Sequence, residues 1–356
     1  MENENNKARV ARTYNVDKMT TFSSDDQKPL FYAYNYKNGG FIIISADKRT
    51  IPVLAFSGSG YTDWDRSNEI NGLKIWIENT KTEINDIKRD NLSADKLITR
   101  EWDKYLNYSS HSNERTENDP PIGGCDNCQD YTNTINSLFS DSVYSDPWYM
   151  WGQDYLSSYL MQQSNCTCGH DPAGCGVVAF AQVARYLNLG SWSYGEMPHF
   201  SDINCSPQSS GEWDLSLLMN YCYSILYTIN HFGGCQTFTD PWSIPDGFET
   251  MGLSNGGSVS TSGVYSKAHT EIAQNKPVIF FASDAITNWH IWVCDGYEYR
   301  NISDCIDGQC YSWGYEYLYC NWGWDGYYNG WFSSGDFTPG THDYTNNIHI
   351  IYGFRL

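Results

Sequence analysis

A helix that has to be buried constrains the fold of this chain more than any other segment. Residues 177–187 (VVAFAQVARYL) are apolar on nearly every face, so a helix formed by them needs protein around it. The preceding turn contains Pro172 and Gly174, which places Cys175 in the first turn of that helix. The positive end of the helix dipole favours the thiolate of a cysteine in this position. A nucleophile, a buried core cysteine and half of a disulfide are all compatible with this stretch.

The distribution of charge divides the chain near residue 120. The net charge is −20, but residues 1–120 carry a net charge of −2 and residues 121–356 carry −18. Such a change predicts two units with different roles. The acidic second unit would repel phosphate backbones, so we do not expect nucleic acid as a partner.

The cysteines indicate the compartment in which the protein works. All twelve lie after residue 124, and so many in one unit favour disulfides and a secreted, periplasmic or cell-surface location. The alternative is a zinc site, for which four cysteines have suitable positions: Cys125, Cys128, Cys166 and Cys168. No apolar run is long enough to span a membrane. The polar start, residues 1–7, does not resemble a signal peptide, so we expect that none existed or that it was removed before this numbering begins.

The first unit has the pattern of a small α+β domain. We predict a helical lead-in within residues 1–30, followed by three strands and one amphipathic helix over about 71–90. The strands are predicted at 30–36, 41–45 and 52–56, with an Asn-Gly hairpin turn between the first two. Residues 109–130 are polar and have the composition of an exposed, protease-sensitive linker.

The second unit alternates loops rich in Gly, Ser and Asn with short elements. Helices are predicted at 175–188, 213–228 and 266–274, and strands at 277–281, 289–294, 315–321 and 348–352. One main helix packed on a twisted antiparallel sheet, an α+β layout, accounts for this pattern.

A cysteine nucleophile needs a base, a group that orients the base, and hydrogen-bond donors for the oxyanion. Among the histidines, His290 differs because it opens a strongly apolar strand. Asn321 stands beside Trp322, so its amide could accept a hydrogen bond from an imidazole while the indole shields that bond. The same Asn-Trp-Gly-Trp segment is also compatible with an aromatic turn that only packs. Gln153 precedes Cys175 and could donate to an oxyanion.

Together these stretches resemble the streptopain-like (C10) cysteine peptidases, which are secreted bacterial enzymes with a papain-like fold. In the second unit the resemblance is carried by Trp151-Gly152-Gln153, Gly174-Cys175 with Ala179, Ala181 and Gln182, Trp289-His290 with 293–297, and Asn321-Trp322-Gly323-Trp324 with Asn329-Gly330. In the first unit it is carried by residues 38–47 and 52–57, which are similar to the inhibitory propeptide of the family.

The resemblance implies a function and a role for each residue of the site. Residues 1–120 would be an inhibitory prodomain with its linker, and 121–356 a papain-like peptidase domain that hydrolyses proteins through an acyl-enzyme. Cys175 would be the nucleophile, His290 the base and Asn321 its orienting partner. Gln153 and the Cys175 amide would form the oxyanion hole, with Trp322 and Trp324 in support. The family pattern implies no cofactor or metal at this site; protein substrates and the prodomain would be its partners.

Several residues depart from the family pattern, and two other functions remain open. The departures are Gly176, Phe180, Ile291 and Asp325, the cysteines Cys166, Cys168, Cys305 and Cys310, and the segment after Gln153. They leave the predicted catalytic groups in place but would reshape the cleft. A cell-wall amidase or acyl transferase would use the same triad. An adhesin or carbohydrate-binding module with a relic triad would not be an enzyme.

Overall fold

The computed structural model describes most of the chain and gives a mixed α and β architecture. The described residues are 15–58, 63–64, 71–94, 96–106, 128–139, 151–201, 204–230, 234–283, 289–306, 309–334 and 348–356. The predicted domain boundary near residue 120 and most of the polar linker lie outside these ranges.

The amino-terminal part is a four-stranded antiparallel meander followed by two helices. Its elements are β1 (Val16–Ser23), β2 (Pro29–Tyr36), β3 (Phe41–Ser45), β4 (Val53–Ser57), α1 (Asn71–Arg89) and α2 (Lys96–Leu106). The predicted hairpin is confirmed, and Gly39 and Gly40 have φ of 85° and 89°, a conformation that glycine adopts without a steric penalty. The predicted helical lead-in is wrong for residues 16–23, because these residues pair with β2 along the edge of the sheet.

The remainder of the chain adds four helices and nine strands within the described residues. The helices are α3 (Cys175–Tyr186), α4 (Ser210–Ile225), α5 (Ile244–Thr250) and α6 (Val264–Ile272). The strands are β5 (Tyr131–Ile135), β6 (Thr228–Asn230), β7 (Thr237–Thr239), β8 (Ser258–Ser260), β9 (Val278–Ser283), β10 (Trp289–Ile306), β11 (Gln309–Asn321), β12 (Gly330–Ser333) and β13 (His349–Tyr352).

One antiparallel sheet runs through both parts of the chain. Its order is β1-β2-β3-β4-β12-β11-β10-β9-β13-β8, and β5 pairs with the second half of β10. The two parts join where β4 pairs with β12, with Phe56 opposite Trp331 and Ala55 opposite Phe332. The joined sheet therefore has the second part's α3 core on one side and α1 on the other.

The predicted main helix is confirmed as α3. It begins at Cys175, and residues 176–185 are buried, as the all-round apolar sequence requires. Gly174, with φ of 95°, caps it, and a Cβ at Gly174 would lie 3.1 Å from the Cβ of Thr237 on β7. The tight approach of β7 therefore explains why this turn ends on glycine.

Three of the four cysteines that were candidate zinc ligands form disulfides in the structure. The bonds are Cys128–Cys310, Cys166–Cys235 and Cys168–Cys205. Cys125 lies outside the described residues. Since a disulfide sulfur has no thiolate to offer, these three cysteines are not zinc ligands. The described helices contain none that is both long and apolar enough to cross a bilayer.

Candidate active site

Cys175 lies at the amino end of α3 with its sulfur against β10. The backbone amides of Ile291 and Gly176 donate to the sulfur, but burial is the larger effect and raises the pKa of the thiol to about 11. Glycine follows Cys175 because a Cβ at Gly176 would lie 2.5 Å from the Thr239 Cβ and 2.9 Å from Ile291 Cδ1. In this arrangement burial therefore acts against the expected thiolate and favours the neutral thiol.

His290 is the second residue of β10 and is almost completely buried. Its Nε2 lies 2.9 Å from the carbonyl oxygen of Trp322, and its ring stacks on Trp292 with centroids 6.1 Å apart. A carbonyl oxygen can only accept, so Nε2 carries the proton and Nδ1 holds the lone pair. Burial lowers the pKa of His290 to about 4, although the bond to Trp322 acts in the opposite direction.

Cys175 and His290 are thus neighbours without forming an ion pair. Ile291, the residue after His290, contacts the sulfur of Cys175 through its amide. Within the described residues no hydrogen bond joins the thiol to the imidazole, and both groups are neutral near pH 7.

Asn321 ends β11 and lies between α3 and the turn that follows β11. Its Oδ1 accepts from Gln182 Nε2 at 3.3 Å and from the Gly323 amide at 3.2 Å. Gln182 is on α3, two turns beyond Cys175, so this contact connects α3 to the end of β11. The predicted bond from His290 to Asn321 is replaced here by the bond from His290 to Trp322.

Trp322 is held on three sides. Its amide donates to Asn329 Oδ1 at 3.0 Å, its indole Nε1 donates to the Tyr328 carbonyl at 3.1 Å, and its carbonyl accepts from His290. Trp324 packs beside it at the edge of the core. The turn from 322 to 329 is consequently a rigid support for His290, which is more than the packing role that an aromatic turn alone would have.

Gln153 approaches the start of α3 through its backbone. Its carbonyl accepts from the Ala173 amide at 2.8 Å, two residues before Cys175, and its side chain is half-buried. The Gln153 backbone and the Cys175 amide therefore lie at the same end of α3.

The role of Asp325 was not recognised in the sequence. Its Oδ1 accepts from the Ser201 hydroxyl at 2.6 Å and from the Ser201 amide at 3.2 Å, and Ser201 Oγ accepts from the Gly152 amide at 3.0 Å. The carboxylate lies so close to Gly152 that a Cβ there would collide with it. Asp325 thus ties the 322–329 turn to the segment that carries Gln153. The only sequence signal was that Asp325 stands in place of a glycine, and its φ of 47° is the left-handed conformation that glycine prefers.

Metal ligation finds no support in this part of the molecule. Among the described residues, no group of three or more His, Cys, Asp or Glu side chains could hold a metal ion.

Comparison with family models identifies both parts of the chain. A model described as Spi protease inhibitor matches residues 1–84, and a model described as Peptidase C10 family matches residues 247–332. The second match includes His290 and Asn321 but begins after Cys175. No curated protein matches the chain significantly. The two family matches confirm the predicted resemblance in both parts of the chain.

Comparison with solved structures shows the fold. A fragment of prointerpain A from Prevotella intermedia, carrying a cysteine-to-alanine substitution, is 16% identical with a TM-score of 0.60, covering 94% of this chain and 99% of that chain. Active wild-type interpain A cysteine protease from the same organism is 15% identical with a TM-score of 0.44, covering 62% and 96%. The first similarity confirms the predicted α+β fold, in which a smaller amino-terminal part precedes the larger second part.

Proposed function

We propose that this chain, a cysteine-type peptidase similar to the C10 peptidases and carrying a propeptide, is the latent form of a secreted endopeptidase. The observation that supports this most is the convergence of four segments along the first two turns of α3. Cys175 is the first residue of α3, His290 is near the start of β10, and Asn321 ends the neighbouring strand β11. Gln153 lies beside the turn that precedes α3. The three described disulfides support an oxidising compartment.

The reaction follows from the tautomer of His290. With the proton on Nε2, Nδ1 takes the proton of the Cys175 thiol once the ring faces it, and the sulfur attacks the scissile carbonyl carbon. Gln153 and the Cys175 amide donate to the oxyanion. The imidazolium then gives its proton to the leaving amine, and an acyl-enzyme remains. Water, activated by His290, hydrolyses the thioester and restores the thiol. Asn321 orients His290 through these steps, and Trp322 covers that pair.

Latency has a physical basis in the contacts that hold His290. Tyr328 donates through its hydroxyl to the carbonyl of Asp63 at 2.6 Å, and its ring packs edge-on against Trp64 at 5.9 Å. The Tyr328 carbonyl accepts from Trp322, which in turn accepts from His290. A chain of contacts therefore runs from the amino-terminal part to the imidazole. Removal of that part would free the turn, so that His290 could rotate toward Cys175.

The test is self-maturation of the full chain. After addition of a reductant, we expect loss of about the first 120 residues and appearance of caseinolytic activity, both abolished by Cys175→Ala. Cys222→Ala, which removes another free buried thiol, is the matched control and should still mature. Maturation and casein hydrolysis by Cys175→Ala would contradict the mechanism. Release of fragments from peptidoglycan with casein left intact would identify an amidase instead.

A further inference from the structure

Two free cysteines face each other across β10 and β11. Cys294 and Cys320 are register partners in this antiparallel pair, and their sulfur atoms are 3.6 Å apart. Both are buried, with exposed fractions of 1% and 5%. Sulfur atoms in a disulfide are about 2.05 Å apart, so closure needs an approach of about 1.5 Å. Small side-chain rotations supply a movement of that size without a change of register.

The pair differs from the other free cysteines in the described residues. Cys175 is at the candidate active site, and Cys222 lies in the core beside α3 with no thiol partner. Three other cysteine pairs in the same part of the chain are already disulfides. Cys294 and Cys320 are therefore a dithiol that has the geometry for oxidation in a part of the protein whose other pairs are oxidised.

The amino-terminal part covers this dithiol. Cys294 and Cys320 line a cavity between the sheet and α1, whose Ile75 and Trp76 form the opposite wall. Trp76 is fixed by a hydrogen bond from its Nε1 to the Ser333 carbonyl at 3.3 Å and by an edge contact with Phe332 at 5.0 Å. Movement of α1 away from the sheet would therefore expose the sulfur atoms to an oxidant in solution.

We propose that Cys294 and Cys320 form a redox modification site that α1 protects and that becomes oxidised when α1 leaves. The oxidant is a small-molecule disulfide such as oxidised glutathione. One thiolate of the pair attacks the glutathione disulfide and releases a first glutathione thiolate. The second thiolate then attacks the mixed disulfide and releases the other. Two protein thiols and one oxidised glutathione thus become one protein disulfide and two reduced glutathione molecules.

The site has a structural consequence for the strands that carry His290 and Asn321. Cys320 directly precedes Asn321 on β11. Cys294 is two residues after Trp292 on β10, and His290 stacks on Trp292. The disulfide would fasten β10 to β11 at the moment when the covering helix is lost. The inference depends on the placement of two thiols and not on peptide hydrolysis, so it stands apart from the proposed function.

The test measures oxidation of the full chain carrying Cys175→Ala, which removes the thiol at the candidate active site. The protein is incubated with oxidised glutathione, quenched in acid, unfolded, alkylated and mapped by mass spectrometry. We expect a Cys294–Cys320 peptide that forms slowly in this parent and at least about tenfold faster after Trp76→Ala. Trp213→Ala, at an exposed tryptophan of α4, is the matched control and should leave the rate unchanged.

A second variant protects the test against misfolding of Trp76→Ala. Trp76→Phe keeps an aromatic ring but loses the hydrogen bond to Ser333, and it should give an intermediate rate. Cys320→Ser should abolish the cross-linked peptide. Persistent free thiols at 294 and 320 after both Trp76 substitutions would overturn the proposal. A pair already joined before oxidant is added would overturn the protective role of α1.

Discussion

The thiol of the half-buried Cys175 and the imidazole of the buried His290 are both held in their neutral forms by their surroundings. Burial raises the pKa of one and lowers the pKa of the other. The hydrogen bonds that Cys175 accepts and the one that His290 donates act against burial but are the smaller influence. We therefore expect activation of the proposed site to require a change in the surroundings of these two groups.

Gln153 is the first residue whose role can be tested by substitution. In the matured enzyme we expect Gln153→Ala to lower kcat by about 10²-fold, because one donor to the oxyanion is lost, with little change in KM. Hydrolysis of a short peptide substrate measures both constants. Gln274→Ala, at an exposed position after α6, is the control. An unchanged kcat in Gln153→Ala would remove Gln153 from the oxyanion hole.

Asp295 predicts a pH dependence of stability. Burial raises its pKa from 3.8 to about 7, although Ser137 Oγ and the Phe139 amide donate to its Oδ2. The stability associated with the protonated carboxyl is complete below pH 3.8 and is lost as the pH rises through 7. Asp295→Asn keeps an acceptor and cannot ionise.

The free energy of unfolding of Asp295→Asn, relative to the parent, should therefore increase from pH 4 to pH 7 and then level off. The increase is up to about 4 kcal/mol, since one pKa unit corresponds to about 1.36 kcal/mol. Urea unfolding at several pH values, in the Cys175→Ala background, measures it. Asp17→Asn, at an exposed position, is the control. A difference that stays constant with pH would contradict the buried ionisation.

At the scale of elements, the site depends on how closely β7 and β10 approach the start of α3. Gly174 and Gly176 leave room for Thr237, Thr239 and Ile291. The sequence predicted α3 and the start of β10 but not β7, because three residues are too few to show a strand pattern. The close approach of β7 and β10 is a property of the packing and has no local signal beyond the glycines.

Gly176→Ala should perturb this junction. The new Cβ would meet Thr239 and Ile291, so we expect a loss of about 1–3 kcal/mol in the free energy of unfolding and a lower kcat. Gly195→Ala is the matched control, because a Cβ at Gly195 meets no atom within 4 Å. Denaturant unfolding compares the two. Equal free energies of unfolding for both variants would show that β7 moves aside for the new Cβ without loss of stability.

Local patterns predicted many elements, and their failures have physical reasons. Apolar periodicity identified α1, α3 and the hairpin of β2 and β3, since these elements bury one face or all faces. The strand β1 lies at the sheet edge with its alternate residues exposed, so its pattern was weak. The second half of β10 and the first half of β11 were missed because they are rich in polar residues and are held by their mutual pairing, with β5 pairing to β10 as well.

At the scale of the whole molecule, the amino-terminal part is joined to the rest by sheet pairing and by side chains. The short pairing of β4 with β12 is supplemented by Tyr317, whose hydroxyl donates to the Val53 carbonyl at 2.7 Å, and by Arg300, which lies over the ring of Phe56. Apolar side chains of α1 and of the second part's strands also belong to one buried cluster, so separation of the two parts after cleavage would expose part of this core.

Tyr328→Phe should accelerate maturation. The variant loses one hydrogen bond to Asp63, worth about 1 kcal/mol, so the open form should be populated about fivefold more. A time course of the mass of the chain after addition of reductant measures the effect. Tyr311→Phe, which removes an exposed hydroxyl bonded to Gln309, is the control. A maturation rate equal to that of the parent would contradict the proposal that the Tyr328 hydrogen bond helps to keep the protein latent.

The sequence by itself determined the two-part organisation, the buried helix that begins at Cys175, and the set of candidate residues, because charge, apolar periodicity and short motifs are local properties of the chain. Only the tertiary structure decided that His290 bonds to Trp322, that Asp325 braces the segment of Gln153, and that α1 covers Cys294 and Cys320. Each of these contacts joins residues that are distant in sequence. Their hydrogen bonds and burial exist only after the sheet and helices have packed.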